Sequence, residues 1–244
     1  MRDTWADPGH QEKPSAWNGL TFNQLKTQFE NYTASIVNEI QPDIFQIGNE
    51  INSGFVFPDG NLTTNEPQFL SLLASACIVI RTNSPSTKIM LHFAGIAGSA
   101  WFFSKTTTID YDYIGLSYYP MWHGNDIGLL QQTMTTLGQT HNKKVLVAET
   151  SYPFTLGWND WTNNIIGLTN QLHPSYPASP EGQKAFFQQI KNTVMNTPNG
   201  LGFCYWGTEW IAFRGTVATN GSSYENQALW DFNHQALPAL SVFN

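Results

Sequence analysis

IFQIGNE (44–50) reads as a strand that ends in chemistry. Its apolar residues run almost unbroken to Gly48, and Asn49 and Glu50 follow at the carboxyl end. A near-continuous apolar run bounded by turn formers is the pattern of a strand buried on both faces of a parallel sheet. The pattern recurs at IMLHFAG (89–95), YIGLSYY (113–119), KVLVAE (144–149) and LGFCYW (201–206). Helical patterns separate these runs. Phe22, Leu25, Phe29, Tyr32, Ile36 and Val37 repeat at three- and four-residue spacing behind Thr21 as N-cap. Residues 67–82 follow Glu66-Pro67, residues 181–195 follow Ser179-Pro180, and a weaker pattern over 126–141 follows Asn125. Strand, helix, strand, helix predicts an α/β chain with a parallel sheet.

The strand ends choose between the two parallel architectures. Four of them finish in groups that can do chemistry or grip a ligand: Asn49-Glu50, His92, Tyr118-Tyr119 and Glu149; the fifth runs into Trp206, Glu209 and Trp210. Groups from many successive strand ends converge on one point in a closed (β/α)8 TIM-type barrel. No Gly-rich phosphate turn follows any of these strands, which argues against a doubly wound sheet. Five strands are too few to close a barrel, and the long loops at 51–66 and 151–180 absorb the residues that further units would need. The expectation is one domain over 1–244, a barrel incomplete at its amino end.

Composition narrows the partners. Of 244 residues, 41% are apolar, 14% aromatic and only 12% charged, about half the charge of an average domain. Such a chain can bury enough surface to fold, so disorder is excluded. The longest apolar stretches, such as 70–80, are interrupted by Ser71, Ser75 and Cys77 and fall short of a membrane span. A net charge of −7 with 11 scattered Lys and Arg leaves no basic stripe for nucleic acid. Cys77 and Cys204 are expected as buried thiols. Arg2, Asp3, Asp7 and His10 occupy the place of a signal peptide's apolar segment, so none is read at Met1.

Asn-Glu occurs at 38–39, 49–50 and 65–66, so position decides what it means. The first ends a helix and the last precedes one, whereas Asn49-Glu50 closes a buried strand. Glu149 closes another. A single carboxylate at a strand end is equally well explained by an Arg partner or a helix cap. Two of them among Trp and Tyr read as a catalytic pair, because glycoside hydrolysis needs one carboxylic acid to protonate the leaving oxygen and one carboxylate to attack the anomeric carbon. Trp5, Trp122, Trp206 and Trp210 lie where their faces could stack on sugar rings, with Asn49, His92, His123 and Asp3 to bond hydroxyls and Tyr118 beside them. For Trp17, Trp101, Trp158, Trp161 and Trp230 the sequence does not separate core from sugar contact. No paired-His spacing supports zinc at His92 and His123, and Ser117 and Ser151 lack the glycines of a nucleophile elbow.

DTWADPGHQEKPSAW (3–17), FQIGNEINSG (45–54), YDYIGLSYYPMWHG (111–124), VLVAETSYPFT (147–155) and NQALWDF (226–232) resemble, in order, the arabinogalactan endo-β-1,4-galactanases of glycoside hydrolase family 53. The resemblance implies a retaining (β/α)8 barrel, Glu50 as acid/base, Glu149 as nucleophile, and a β-1,4-galactan or pectin side chain as substrate. It also implies a secreted, periplasmic or cell-surface location and no required cofactor. Some bacterial members pin the loop after strand seven with calcium; here that loop, 151–182, offers Asp160, Asn159, Asn163 and Asn164. In the family the WADP segment follows strand three, so strands one to three would precede Met1, along with an Arg near the nucleophile and a His before WADP. Further expectations follow. Glu50 should have the higher pKa of the pair, raised by Glu149 and by partial burial, while Asn49 meets the 2-hydroxyl. Strands 44–49 and 201–206 should expose Phe45, Ile47, Phe203 and Tyr205 in part and promote self-association. Competing functions are a non-catalytic galactan-binding remnant and a retaining endo-β-1,4-glucanase or mannanase.

Overall fold

The computed structural model describes residues 10–243. Five strands, β1 (Ile44–Gln46), β2 (Lys88–Ala94), β3 (Tyr113–Ser117), β4 (Lys144–Thr150) and β5 (Gly200–Tyr205), follow one another in the sheet in chain order. β1 with β2 and β2 with β3 pair in parallel, with Phe45 opposite Ile89 and His92 opposite Gly115. Helix α1 (Phe22–Ile40) precedes β1, and α2 (Glu66–Asn83), α3 (Ser99–Lys105), α4 (Pro120–His123), α5 (Ile127–His141) and α6 (Pro180–Met195) fill the connections. Sequential parallel strands joined through helices are the repeating unit of a (β/α)8 wall.

The chain divides into two compact units, Met1–Ser117 with Leu137–Val145, and Tyr118–Thr136 with Leu146–Asn244. In the first, α1 starts as its sequence requires. Thr21 accepts from the Gln24 N–H, and the Gln24 side chain reaches back to the Thr21 backbone. Its spacing buries Leu25, Phe29 and Val37, and left-handed Gln41 ends it. Phe29, Phe55, Phe69 and Phe102 form a continuous run of ring contacts at 5.5–6.1 Å, and Phe93 of β2 joins at 5.4 Å from Phe102. Burying each such ring contributes about 1.5–3 kcal/mol. In the second unit, α6 is capped by Ser179 and buries Phe186, Phe187 and Ile190. Phe186 stacks on Tyr152 just after β4 at 4.4 Å, and Phe187 meets Tyr205 of β5 at 4.8 Å. The Gln183 amide donates to the carbonyls of Tyr152 and Ala228, tying the β4 exit to the C-terminal segment.

Several sequence expectations are corrected. Asp126, not Asn125, caps α5, its Oδ1 accepting the Leu129 N–H at 2.8 Å. Ile47 is buried rather than exposed, although Phe45, Phe203 and Tyr205 are half-buried. Cys77 is buried but Cys204 is exposed, because it faces outward from β5 between the half-buried Phe203 and Tyr205.

Candidate active site

The first unit builds the surroundings of Glu50 from a broken strand. β1 stops at Gln46 because Gly48 (φ 71°) and Glu50 (φ 48°) are both left-handed. A Cβ on Gly48 would stand 2.6 Å from Ile51 Cγ2, so only glycine fits. Glu50 bears the strain of a non-glycine residue at positive φ. Pairing with β2 resumes past the break. The Ile51 N–H donates to the His92 carbonyl, and the Asn52 amide bonds both backbone groups of Ala94. Gln11 Nε2 holds the Asn49 carbonyl at 2.8 Å.

Within this frame the Ser117 hydroxyl lies 2.5 Å from Glu50 Oε1, and His92 Nε2 lies 2.9 Å from the Ser117 oxygen. His92 Nδ1 faces the Glu50 backbone N–H at 3.4 Å and Asn49 Oδ1 at 3.2 Å. Burial raises the pKa of Glu50, opposed by the Ser117 hydrogen bond. Burial also lowers His92 to about 3, so its ring is neutral at working pH. His92 was expected to bond sugar hydroxyls. With 0% exposure and both ring nitrogens turned on protein groups, it supports Glu50 instead. Asn49 is half-buried, with Oδ1 taking a bond from Gln46 Nε2 at 3.1 Å.

The second unit builds the surroundings of Glu149. The Tyr118 N–H donates to the Glu149 carbonyl, and the Trp206 N–H to the neighbouring Thr150 carbonyl. Tyr119 O–H donates to Glu149 Oε2 at 2.9 Å. Tyr118, expected at the substrate, is fully buried and its hydroxyl is spent on the Gly124 carbonyl. The two tyrosines point to opposite faces of an extended segment, and alternation places Tyr119 rather than Tyr118 with Ser117. That spacing was the available signal for both Ser117 and Tyr119. Trp122 packs edge-on against Tyr119 at 5.3 Å and remains 47% exposed, a face that can still take a sugar ring. His123 Nδ1 accepts the Tyr119 N–H at 3.0 Å, and desolvation lowers its pKa to about 4.

Trp206 and Trp210 meet at 5.4 Å, and Tyr224, which sequence reasoning missed, closes the group at 4.6 Å from Trp206. Gly207 permits this, since a Cβ there would lie 1.9 Å from Trp210 Nε1. Asp3 and Trp5 lie outside the described residues.

The 151–182 loop has a feature that bears on calcium. Asp160 is buried, its Oδ1 accepting from the Thr162 N–H while Oδ2 has no hydrogen-bond partner. Glu225, also buried, accepts the Asn159 and Asp160 N–H groups on Oε1 and leaves Oε2 without one. Burial raises the Glu225 pKa, and the negative charge of Asp160 adds to that. Asn164 Oδ1 is likewise buried and unpartnered. Unpartnered buried oxygens of this kind suit a hard cation such as calcium. Glu225, the strongest of them, comes from outside the loop in which donors were sought.

The family described as Glycosyl hydrolase family 53 matches residues 1–243. An arabinogalactan endo-beta-1,4-galactanase of Cellvibrio japonicus is 32% identical over 260 residues, covering 99% of this chain and 69% of that protein. The solved GH53 catalytic domain of Ignisphaera aggregans is 36% identical with a TM-score of 0.90, over 97% of this chain and 69% of its own. A fungal beta-1,4-galactanase structure matches at 30% identity and a TM-score of 0.80, over 99% and 74%.

Proposed function

Because the chain belongs to glycosyl hydrolase family 53, a family of (β/α)8 enzymes, we propose that it is a retaining endo-β-1,4-galactanase in which Glu50 is the acid/base and Glu149 the nucleophile. The contrast between the two carboxylates carries the reading. Glu50 is desolvated and its proton held more tightly than usual, whereas Glu149 receives a phenolic hydrogen bond on one oxygen. Environments that differ in this way assign acid and nucleophile.

In the first step the Glu50 proton passes to the glycosidic oxygen as the C1–O bond breaks, and Glu149 Oε1 forms a bond to C1. Tyr119, by holding Oε2, sets the angle of that attack. In the second step water attacks C1, gives its proton to the Glu50 carboxylate and releases Glu149. The exposed Trp122 face and the Trp206–Trp210 pair supply stacking surfaces for successive galactose rings. Asn49 and His123 are the polar residues proposed to bond the sugar hydroxyls.

A polymer of this kind is met outside the cell, in pectin, so the enzyme acts extracellularly; among the described residues no helix is long and apolar enough to cross a membrane. Calcium, where bound, supplies a fixed positive charge to Asp160, Glu225 and Asn164 and has no part in the chemistry.

Reducing-sugar release from galactan, cellulose and mannan tests the proposal. Galactan alone is expected to be cleaved, with Glu50→Gln reducing kcat about 10²- to 10⁴-fold. Proton NMR of the first product should show the β-anomer. An α-anomer would rule out double displacement, and binding of galactan without cleavage would make the chain a binding module.

A further inference from the structure

Gln11 turns a buried side chain onto the backbone of the proposed acid. It is 1% exposed, and its Nε2 donates to the Asn49 carbonyl at 2.8 Å and lies 3.5 Å from the Glu50 carbonyl. Two carbonyls on that side fix which way the amide faces, since Oε1 could bond neither of them. Oε1 is consequently buried and without a hydrogen-bond partner among the described residues. A buried amide satisfied on one side only costs stability, and its presence asks for a reason beyond packing. The peptides flanking Glu50 supply one, because both are held at both ends. Before Glu50, Gln11 takes the Asn49 carbonyl while the Glu50 N–H faces His92 Nδ1 at 3.4 Å. After it, the Glu50 carbonyl accepts the Asn52 N–H at 2.9 Å with Gln11 beyond, and the Ile51 N–H donates to the His92 carbonyl at 3.0 Å. Pinned peptide planes fix φ and ψ, and these fix the direction in which the side chain leaves the backbone. For Glu50 the conformation so fixed is left-handed, which a non-glycine residue keeps only when its surroundings impose it.

Gln11 is held in its turn. The Phe57 N–H donates to the Gln11 carbonyl at 2.7 Å, and the Lys13 ammonium meets Asp59 Oδ2 at 2.7 Å. The 51–62 loop that supplies these partners is closed on itself, the Phe55 N–H donating to the Gly60 carbonyl at 3.1 Å and the Leu62 N–H to the Ser53 carbonyl at 2.8 Å. Fully buried Phe55 anchors the loop between Phe29 and Phe69 in the aromatic run. Gln11 (φ 52°) and Val56 (φ 57°) are left-handed as well, so three strained non-glycine residues lie along one line of contacts that ends at Glu50. Every group in this frame belongs to the first compact unit.

We propose that Gln11 is a positioning residue for the acid/base: clamped by the 51–62 loop, its amide holds the left-handed turn through which the Glu50 carboxyl is aimed. Buried as it is, Gln11 touches no sugar and acts through Glu50 alone. Without it the Asn49 carbonyl has no donor among the described residues, and the peptide before Glu50 is free to rotate out of its strained setting. This inference rests on Glu50 as the acid/base.

The test is Gln11→Met, which keeps the length and apolar contacts of the side chain and removes the donor. On the free protein, amide hydrogen exchange at Glu50 and Ile51 should quicken about 10-fold or more while Phe57 and Leu62 stay as they were, because a turn that has lost a buried hydrogen bond opens more often. On galactan kcat/KM should fall about 10²-fold, the scale of a small misplacement of a reacting group. On an aryl β-galactobioside whose dinitrophenolate leaves without a proton, kcat/KM should fall by no more than about threefold, since bond cleavage there does not call on the acid. Gln11→Glu fills the same space and repeats both readings where Gln11→Met does not fold; relative to the unsubstituted enzyme its loss on galactan should shrink as pH falls and the new carboxyl gains a proton to donate to Asn49. An equal loss on both substrates, or unchanged exchange at Ile51, would overturn the inference. If the unsubstituted protein cleaved neither substrate, the galactanase assignment would fall, and the exchange rates would still decide whether Gln11 holds the turn.

Discussion

Tyr119 holds one oxygen of Glu149 and is itself held on three sides, by the His123 ring nitrogen on its N–H and by the Trp122 and His123 rings. Removing only its hydroxyl therefore takes one hydrogen bond from the proposed nucleophile while leaving the ring in its packing. Tyr119→Phe should lower kcat about 10- to 100-fold, the worth of a hydrogen bond to a charged group, with thermal stability nearly unchanged. An unaltered kcat would show that the carboxylate is oriented by other contacts. The neutral histidines make a second prediction. Folding depresses His123 to about 4 and His92 to about 3 from 6.5, so the unfolded chain binds more protons between those values. The stability they contribute is complete above about pH 6.5 and is lost as pH falls toward the folded values. Glu50 and Glu225 act in the opposite sense: their raised pKa favours the fold below the ordinary 4.5, and that gain is lost as pH rises through the folded values. The melting temperature should accordingly fall from pH 7 to pH 4, and by less in His123→Gln; an equal fall in that variant would refute the assignment.

At the scale of elements, the sequence carried what periodicity and turn residues encode. All five strands and four of the helices lie where the patterns put them, because buried strands and amphipathic helices leave long, redundant signals. α3 and α4 were missed. At seven and four residues they are too short to show a period, and they exist because Phe102 and Phe103 join the aromatic run and Pro120 opens a turn. The strand-end positions of Glu50 and Glu149, proposed as the catalytic pair, were legible, but the groups that hold them were not. Ser117 and Tyr119 matter through side-chain direction, which depends on register, and His92 turns inward where a polar residue at a strand end suggested a ligand contact. Glu225 was invisible for another reason, since it meets Asp160 across 65 residues of chain that include α6 and β5. That meeting predicts a cation effect. Calcium should raise the melting temperature at neutral pH and a chelator should reverse it, while Asp160→Asn abolishes the response; calcium-independent melting would rule out a cation site at Asp160 and Glu225.

For the whole molecule, the sheet order leaves β1 and β5 with one neighbouring strand each among the described residues. Ile44 and Leu201 on them are each 42% exposed. Strand edges with apolar side chains pair with other chains unless covered. The 244-residue polypeptide should therefore scatter light as a dimer or larger, with Leu201→Lys shifting it toward monomer; a monomer without the substitution would exclude pairing through β5. The division into units has a consequence for synthesis. The first unit is closed by Leu137–Val145, which reaches it only after Tyr118–Thr136 has been committed to the second. That late segment brings Lys143 to the Tyr111 carbonyl and over its ring, and His141 against Phe103. A nascent chain emerging from the ribosome thus cannot complete its first half before it has begun its second, and the two must mature in overlap rather than in turn.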